Sequence, residues 1–265
     1  MPASLDGDVA IVIGAGKGIG EAIAQALAAA GARVAVTSRV AADAERVAAS
    51  LGPGHVGLGM DVRSSAAVDE AVTAATEALG TPTILVNNAG VNRLGPSESY
   101  SDDDWELVLD VNLTGVFRCC RAVGARMLEA GNGSIVNVAS IIGASVGMPW
   151  RAPYASSKAG VVGLTRTLAV EWADRGVRVN ALLPGPVRTS MVADAIERGI
   201  VDEQQVVDHT PAGRLGLPSD IAGVVVLLSA PEARFVTGQT LIVDGGYSTF
   251  GAAHPASRRF GGVDA

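Results

Sequence analysis

VAIVIGAGKGIG, residues 9–20, is the stretch of the sequence that decides the fold. The apolar, β-branched run Val9–Ile13 predicts a buried strand, and a helix-length stretch follows at once. Alternating glycines between the two let the chain turn tightly and bring backbone N–H groups of the helix start close to a phosphate. The spacing is G-x-x-x-G-x-G, from Gly14, Gly18 and Gly20, and is neither G-x-G-x-x-G nor a Walker loop. A plain strand–turn–helix needs only one or two glycines, so we expect a phosphate-binding loop.

The same alternation of strand and helix continues along the chain. Short apolar runs, typical of strands covered on both faces, alternate with amphipathic stretches, which predicts an α/β fold with a doubly wound parallel sheet of about seven strands, of Rossmann type. The predicted strands are Val9–Ile13, Val34–Thr37, Val56–Met60, Thr83–Val86, Ser134–Val138, Arg178–Leu183 and Thr240–Val243, and the predicted helices lie at about 18–30, 41–51, 64–79, 103–130, 154–174 and 219–229.

The composition favours a single enzyme-sized domain. The chain has 265 residues and a formal net charge of −7 without a long basic run, which argues against a nucleic-acid partner. It has no apolar stretch long enough for a membrane span, no signal-peptide pattern at its start and no zinc spacing, so we expect a cytoplasmic protein without a metal. We predict one domain over 1–247, in which about 186–214 stands outside the strand–helix pattern, and a loosely held tail over 248–265.

Two adjacent cysteines, Cys119 and Cys120, lie within the predicted helix 103–130. Neighbours on a helix point in different directions, so they do not form a structural disulfide. Redox control is one interpretation of this pair. We favour the other, in which small residues of this helix pack between subunits.

The end of the second strand indicates which nucleotide the site prefers. An acidic residue there would bind a ribose 2′-hydroxyl, whereas this chain has Ser38 and Arg39, and Lys17 lies in the glycine loop. A guanidinium can bind a 2′-phosphate, which predicts NADP(H) rather than NAD(H), unless both cations are merely solvated. After the third strand come Asp61 and Val62. Asp61 could bind an adenine amino group or could equally cap the following helix.

A tyrosine and a lysine lie one helical turn apart. Tyr154 and Lys158 are i and i+4, so they share one helix face. The lysine charge would bring the pKa of the tyrosine closer to neutrality, and such a hydroxyl can exchange a proton with a carbonyl or alcohol oxygen. Ser140, at the end of the fifth strand, can donate a hydrogen bond to the same oxygen.

With these residues in place, the chain resembles the short-chain dehydrogenase/reductase family over residues 6–247. The resemblance rests on motifs in the family's order and spacing: GAGKGIG (14–20), NNAG (87–90), Asn112 in VNLTGVF, Ser140 in NVAS, YASSK (154–158), PGPVRT (184–189) and DGG (244–246). It implies that Tyr154 is the acid/base, that Ser140 polarises the substrate oxygen and that Asn112 supports a proton relay. Lys158 would lower the tyrosine pKa and hold the nicotinamide ribose.

The resemblance also implies the residues that line the cofactor. These are Gly14, Lys17, Gly18, Ile19 and Gly20 at the pyrophosphate, Asn88, Ala89 and Gly90 at the adenosine ribose, and Pro184, Gly185, Val187 and Thr189 at the nicotinamide. One departure is Ile13, where many relatives have a threonine whose hydroxyl would tie the glycine loop to neighbouring backbone.

We therefore expect an NADP(H)-dependent oxidoreductase that interconverts a ketone and a secondary alcohol. The carboxyl-terminal segment looks most like the 3-oxoacyl-carrier-protein reductase branch, which also holds broad carbonyl reductases. Arg93 is similar to an arginine of some sugar-acid dehydrogenases, which makes a sugar or gluconate-type dehydrogenase the alternative. Met148, Trp150 and Arg151 are further substrate candidates. A non-catalytic NADP-binding scaffold is the alternative of another class. The resemblance implies a homotetramer or dimer and a substrate lid at about 186–214.

Overall fold

Seven short segments form one parallel sheet in the computed structural model, which describes residues 4–197 and 199–251. The strand order is β3-β2-β1-β4-β5-β6-β7, so the order reverses between β1 and β4. This confirms the predicted doubly wound parallel sheet. No helix in the described ranges is long and apolar enough to cross a membrane. The strands are Val9–Ile13 (β1), Arg33–Ser38 (β2), Val56–Gly59 (β3), Ile84–Asn87 (β4), Gly133–Val138 (β5), Val177–Pro184 (β6) and Thr240–Val243 (β7).

Helices cover both faces of the sheet. Successive residues of β1 point to opposite faces, so Ile11 belongs to one hydrophobic core and Val12 to the other. The helices are Gly18–Ala29 (α1), Ala41–Leu51 (α2), Ser65–Leu79 (α3), Asp102–Leu109 (α4), Gly115–Ala130 (α5), Ile141–Ala144 (α6, a single distorted turn), Ala152–Trp172 (α7), Ser190–Glu197 (α8), Glu203–His209 (α9) and Pro218–Ser229 (α10). Helices α3, α5 and α7 close the first core, and α1, α2 and α10 close the second.

The stretch predicted as one helix over 103–130 is interrupted by a wider turn. Between α4 and α5, Asp110–Thr114 forms a π-helical turn in which the Gly115 N–H reaches the Asp110 carbonyl. Such turns insert a residue into a helix and are frequent at functional sites. Here the turn carries Asn112, which is fully buried.

The expectation that the two cysteines pack between subunits is wrong. Cys119 and Cys120 are fully buried in the core beneath the chain's own sheet, and the Cys120 sulfur lies 3.3 Å from the Asn87 Nδ2. Burial raises the pKa of the Cys119 thiol to about 12, so the thiol is unreactive at neutral pH. The helix pattern was correct, but its small face is the inward one.

The segment 186–214 and the chain after β7 pack against each other. His209 in α9 lies edge-on to Tyr247, with ring centroids 4.5 Å apart, and 5.6 Å from Phe250. The Ser248 N–H also donates to the Asp244 carboxylate at 2.8 Å. Packing therefore continues to Phe250, and residues 252–265 of the predicted tail lie outside the described residues.

Candidate active site

The glycine loop leaves the start of α1 open at the carboxyl edge of the sheet. Gly14 and Gly18 have φ of +74° and +62°, and a Cβ on Gly14 would lie 2.6 Å from the Ala89 Cα. Lys17 precedes α1 with extended backbone, and its side chain does not cap the helix. The first N–H groups of a helix lack intrahelical acceptors and carry partial positive charge. This donor set fits the pyrophosphate of a dinucleotide.

Two long-range hydrogen bonds hold this loop in place. The Asn88 Nδ2 donates to the Gly14 carbonyl at 2.8 Å, and the Arg46 guanidinium donates to the Gly16 carbonyl at 2.7 Å. Arg46 is itself paired with Glu21 at 3.0 Å. The Asn88 hydrogen bond connects the glycine loop to the chain after β4. It does so beside Ile13, which lacks the hydroxyl that a threonine would offer for such a contact. Sequence reasoning missed Arg46, because only the packing of α2 beside α1 brings it to the loop.

The residues predicted at the adenosine end lie beyond β2 and β3. Arg39 is exposed, and no carboxylate of the described chain lies within ion-pair distance of it. Ser38 is half-buried against Gly16, where an added Cβ would lie 2.8 Å from its Oγ. Arg39 and Lys17 therefore remain available for an anionic group.

Asp61 is engaged by Arg63, two residues later. The Arg63 Nη2 lies 2.7 Å from the Asp61 Oδ2, and this hydrogen bond holds the pKa of Asp61 below its usual range. Asp61 does not cap α3, because Ser64 is the capping residue and accepts from the Ala67 N–H at 3.2 Å. The capping role predicted as an alternative for Asp61 is therefore wrong. The Asp61–Arg63 ion pair could have been predicted from the sequence, because the two opposite charges are only two positions apart. Val62 is buried under Gly115, where an added Cβ would lie 2.8 Å from its Cγ2.

Ser140, Tyr154 and Lys158 meet beyond the end of β5. Burial raises the pKa of Tyr154 and the nearby Ser140 hydroxyl works against this, while the Ser140 Oγ accepts from the Ile142 N–H at 3.1 Å. Lys158 is buried, and its Nζ donates to the Val138 carbonyl at 2.9 Å. The same Nζ lies 5.8 Å from the centroid of the Tyr154 ring. The three side chains predicted as a catalytic group thus lie together.

The predicted direction of the tyrosine pKa is wrong for the protein on its own. Burial raises the pKa of Tyr154, and the nearby Ser140 hydroxyl and the positive charge of Arg151 offset this only in part. Burial also lowers the pKa of Lys158 to about 8. The spacing argument counted the lysine charge but could not count desolvation, which disfavours the charged form of both groups.

Asn112 connects the π-helical turn to this group. Its Oδ1 accepts from the Val91 N–H at 2.8 Å, and its Nδ2 donates to the Val91 carbonyl at 2.9 Å and the Ser157 Oγ at 3.2 Å. The Ser157 hydroxyl in turn donates to the Tyr154 carbonyl at 2.7 Å. The amide therefore fixes the chain after NNAG relative to α7. It lies 3.5 Å from the position a Cβ on Gly90 would take.

Arg118 is a second residue that sequence reasoning missed. Its Nη1 donates to the Asp110 carboxylate at 2.7 Å and to the Val62 carbonyl at 3.2 Å. It thereby joins the π-helical turn to the loop after β3. Nothing in the local pattern indicates this contact, because Val62 and Arg118 are 56 residues apart.

The PGPVRT segment faces the glycine loop. Pro184 ends β6, and the Gly185 N–H donates to the Val243 carbonyl at 3.0 Å. Val187 is buried and pairs with Gly216. Thr189 stands opposite Gly18, where an added Cβ would lie 3.6 Å from its Cγ2.

The substrate candidates divide into paired and unpaired side chains. Arg93 forms an ion pair with Asp104 at 3.0 Å. Met148 is half-buried, Trp150 is exposed and Arg151 is half-buried at the start of α7. No group of three or more potential metal ligands occurs in the described part of the chain.

Comparison with known proteins shows which family the chain is similar to. A family model described as enoyl-(acyl carrier protein) reductase matches residues 14–248. A D-threitol dehydrogenase of Mycolicibacterium smegmatis is 45% identical and aligns over 92% of this chain and 94% of its own. A galactitol 2-dehydrogenase (L-tagatose-forming) of Cereibacter sphaeroides is 44% identical, over 93% and 97%. A 3-oxoacyl-[acyl-carrier-protein] reductase of Vibrio cholerae is 39% identical, over 92% and 98%.

The chain belongs to the short-chain dehydrogenase/reductase family. Solved structures of the family superpose closely on it. A putative short-chain alcohol dehydrogenase of Sinorhizobium meliloti has a TM-score of 0.88 at 41% identity, covering 93% of this chain and 98% of its own. A gluconate 5-dehydrogenase of Burkholderia cenocepacia, solved with NADP and tartrate, has a TM-score of 0.88 at 34% identity, over 93% and 97%. As a short-chain dehydrogenase/reductase, the protein is an oxidoreductase that uses a nicotinamide cofactor.

Proposed function

We propose that the protein is an NADP(H)-dependent oxidoreductase that interconverts a ketone and a secondary alcohol, with Tyr154 as acid/base. The observation that carries this proposal is the grouping of Ser140, Tyr154 and buried Lys158 beyond the end of β5, at the sheet edge that holds the glycine loop. Ser140 and Tyr154 would both hydrogen-bond the reacting oxygen of the substrate.

The reaction transfers one hydride and one proton, and Tyr154 carries the proton. A secondary alcohol loses a hydride from carbon and a proton from oxygen to become a ketone. The bound nicotinamide would supply the hydride chemistry, accepting or donating it at the substrate carbon. In reduction, the Tyr154 hydroxyl donates its proton to the carbonyl oxygen, and its raised pKa keeps that proton in place at neutral pH. Lys158 would hold the nicotinamide ribose. Asn112 would support a proton relay that returns a proton to Tyr154, because it fixes the positions of Val91 and Ser157.

Replacing the tyrosine hydroxyl tests this mechanism. Tyr154→Phe removes the proton donor but keeps the ring, so we expect kcat to fall by about 100-fold or more, since general acid–base catalysis contributes about 10²–10⁴-fold. Binding of NADPH, measured by its fluorescence, should change little. A variant that kept most of its carbonyl-reductase turnover would remove the basis of the mechanism.

The preference for NADP(H) rests on Arg39 and Lys17. Both are exposed, and Arg39 has no ion-pair partner among the described residues. Arg39→Asp should weaken NADPH binding by about 10-fold or more and shift preference to NADH, because a charge-assisted hydrogen bond is replaced by like-charge repulsion. Arg33→Asp, at the start of the strand that Arg39 follows, is the matched control and should leave binding unchanged. Tighter NADH than NADPH binding by the unmodified protein would refute the proposal.

The substrate class has two candidates within this chemistry. A 3-oxoacyl-carrier-protein reductase or a broad carbonyl reductase is the first. A sugar, polyol or sugar-acid dehydrogenase is the second, and it is favoured by the 45% and 44% identities to the threitol and galactitol dehydrogenases. A turnover panel of β-ketoacyl thioesters, polyols, sugar acids and bulky ketones separates them. Tight NADPH binding with no turnover on any of these would favour a non-catalytic NADP-binding scaffold.

We also propose that the chain assembles as a homotetramer or dimer through the outer faces of α5 and α7. Phe117 on α5 is 42% exposed and Val170 on α7 is 82% exposed, so both helices present apolar side chains to solvent. Sedimentation velocity tests this, because a monomer at micromolar concentration would contradict it.

A further inference from the structure

Trp150 has the backbone conformation that stands out in this molecule. With φ of +62°, it is the only residue other than glycine with a positive φ in the ranges the structure describes. A left-handed conformation costs a residue with a Cβ about 1–2 kcal/mol and persists only where the surroundings hold it. Such strain is a reason to ask what the turn positions.

The loop after β4 holds this turn from one side. The Trp150 carbonyl accepts from the Gly95 N–H at 3.2 Å and lies 2.6 Å from the Tyr100 hydroxyl. The same hydroxyl lies 2.8 Å from the Arg93 carbonyl. Two segments that are 50 residues apart are therefore joined to each other at Trp150.

The strained turn delivers Arg151 to the first turn of α7. Arg151 is the N-cap of α7, its carbonyl accepts from the Ala155 N–H at 2.8 Å, and Tyr154 lies three residues later in the same first turn. Arg151 is half-buried, and no carboxylate in residues 4–197 or 199–251 lies within 4 Å of its guanidinium. Burial raises the pKa of Tyr154, and the positive charge of Arg151 works against this.

The other arginine of this region is already neutralised. Arg93 donates to the Asp104 carboxylate at 3.0 Å and to the Asn92 carbonyl at 3.3 Å. An unpaired, partly desolvated guanidinium is a planar donor that matches a carboxylate in two parallel hydrogen bonds. Beside it, Trp150 is 62% exposed and offers an apolar face to the carbon chain that carries such a carboxylate.

We propose that Arg151 binds a carboxylate of the substrate, so that the enzyme acts on hydroxy acids and oxo acids of the sugar-acid type in preference to neutral polyols. This inference rests on the proposed function, because it assigns the substrate class of the same site. Trp150 is a positioning residue whose backbone aims Arg151, and Arg93 does not take part.

A pair of substrates that differ only in the carboxylate tests the proposal. D-Threonate and D-threitol share a four-carbon chain and differ in one terminal group, and galactonate and galactitol repeat the comparison at six carbons. We expect kcat/KM for the acid to exceed that for the polyol by about 10-fold or more in at least one pair, since hydrogen bonds between charged groups are the strong ones. Arg151→Gln should lower kcat/KM for the acid by about 10-fold or more and that for the polyol by less than about 3-fold.

Two further variants separate binding from tuning of the tyrosine. Arg151→Lys should recover part of the preference for the acid, and Arg93→Gln should leave it unchanged. We would measure kcat/KM as a function of pH for each variant. Loss of the Arg151 charge also changes the pKa of Tyr154, and that effect would alter kcat/KM for acid and polyol alike. An equal loss for acid and polyol at every pH would overturn the proposal in favour of a positioning role through Tyr154.

The proposal and the proposed function fail in different ways. Turnover of ketones or polyols with no preference for either acid overturns the carboxylate site and leaves the oxidoreductase in place. If no substrate turns over, calorimetry of threonate and galactonate binding to the NADP-loaded protein tests the carboxylate site directly. Binding that Arg151→Gln abolishes supports the site, and absence of binding by the unmodified protein overturns it.

Discussion

Replacing Gly14 by alanine should cost stability through two separable effects. The first is the left-handed backbone, φ +74°, which an alanine adopts at a cost of about 1–2 kcal/mol. The second is steric, because the new Cβ would lie 2.6 Å from the Ala89 Cα and 2.7 Å from its N, both backbone atoms. Optimal separation of such atoms is about 3.5–4.0 Å, so the glycine loop or the NNAG segment must move by about 1 Å.

A second glycine isolates the backbone effect. Gly131 ends α5 with φ +67°, and an added Cβ there meets nothing within 4 Å. Gly131→Ala should therefore lower the free energy of unfolding by about 1–2 kcal/mol. Gly14→Ala should lower it by about 2–5 kcal/mol, because overpacking adds about 1–3 kcal/mol.

Urea unfolding and NADPH fluorescence titration measure the two consequences. Gly14→Ala should also weaken NADPH binding by about 10-fold or more, since about 1.4 kcal/mol of lost binding free energy suffices and the displaced loop carries the N–H groups for the pyrophosphate. Gly131→Ala should bind NADPH normally. Equal losses of stability for the two variants, or unchanged NADPH affinity in Gly14→Ala, would refute the reasoning.

Three further predictions follow from burial. The tyrosinate absorbance of Tyr154 is the difference between the cofactor-free protein and Tyr154→Phe. It should develop only above pH of about 10, because desolvation raises the pKa of Tyr154. Its appearance near neutrality would mean that the charge of Lys158 outweighs desolvation. His55 accepts the Val34 N–H at 3.0 Å and burial lowers its pKa, so the unfolded chain binds its proton first. Stability should thus be full above pH of about 6.5 and fall as the pH drops below it, whereas His55→Gln should lose this slope in urea midpoints. The two cysteines should not react with a thiol reagent at pH 8 until urea unfolds the chain, since burial raises the pKa of Cys119 to about 12; labelling of the native protein at the unfolded rate would contradict their burial.

The sheet and its order of elements could be predicted because their signals are local. A strand covered on both faces is a short apolar run, and β1 through β7 each show one. Boundaries shifted by a residue or two, as at β4, where Asn87 is the last strand residue. The interruption of the long helix at Asp110–Thr114 has no comparable signal, because an inserted residue leaves the apolar pattern on both sides intact.

The candidate site was predictable where one turn or one strand end contains the chemistry. The glycine loop and the Tyr154–Lys158 spacing are of this kind, and the structure brings them together at one edge of the sheet. The Arg46 bond to the loop could not be predicted in this way, because it depends on which helices pack side by side.

By itself, the sequence determined the strand–helix order, the phosphate-binding turn and the identity of the groups at the strand ends. Only the tertiary structure decided which of those groups are neutralised, since Arg93 meets Asp104 while Arg151 meets no carboxylate in the described chain. It also decided that the pKa of Tyr154 rises. The physical reason is that the apolar and turn patterns that form strands and helices are local along a chain, whereas desolvation and ion pairing depend on everything that packs around a group.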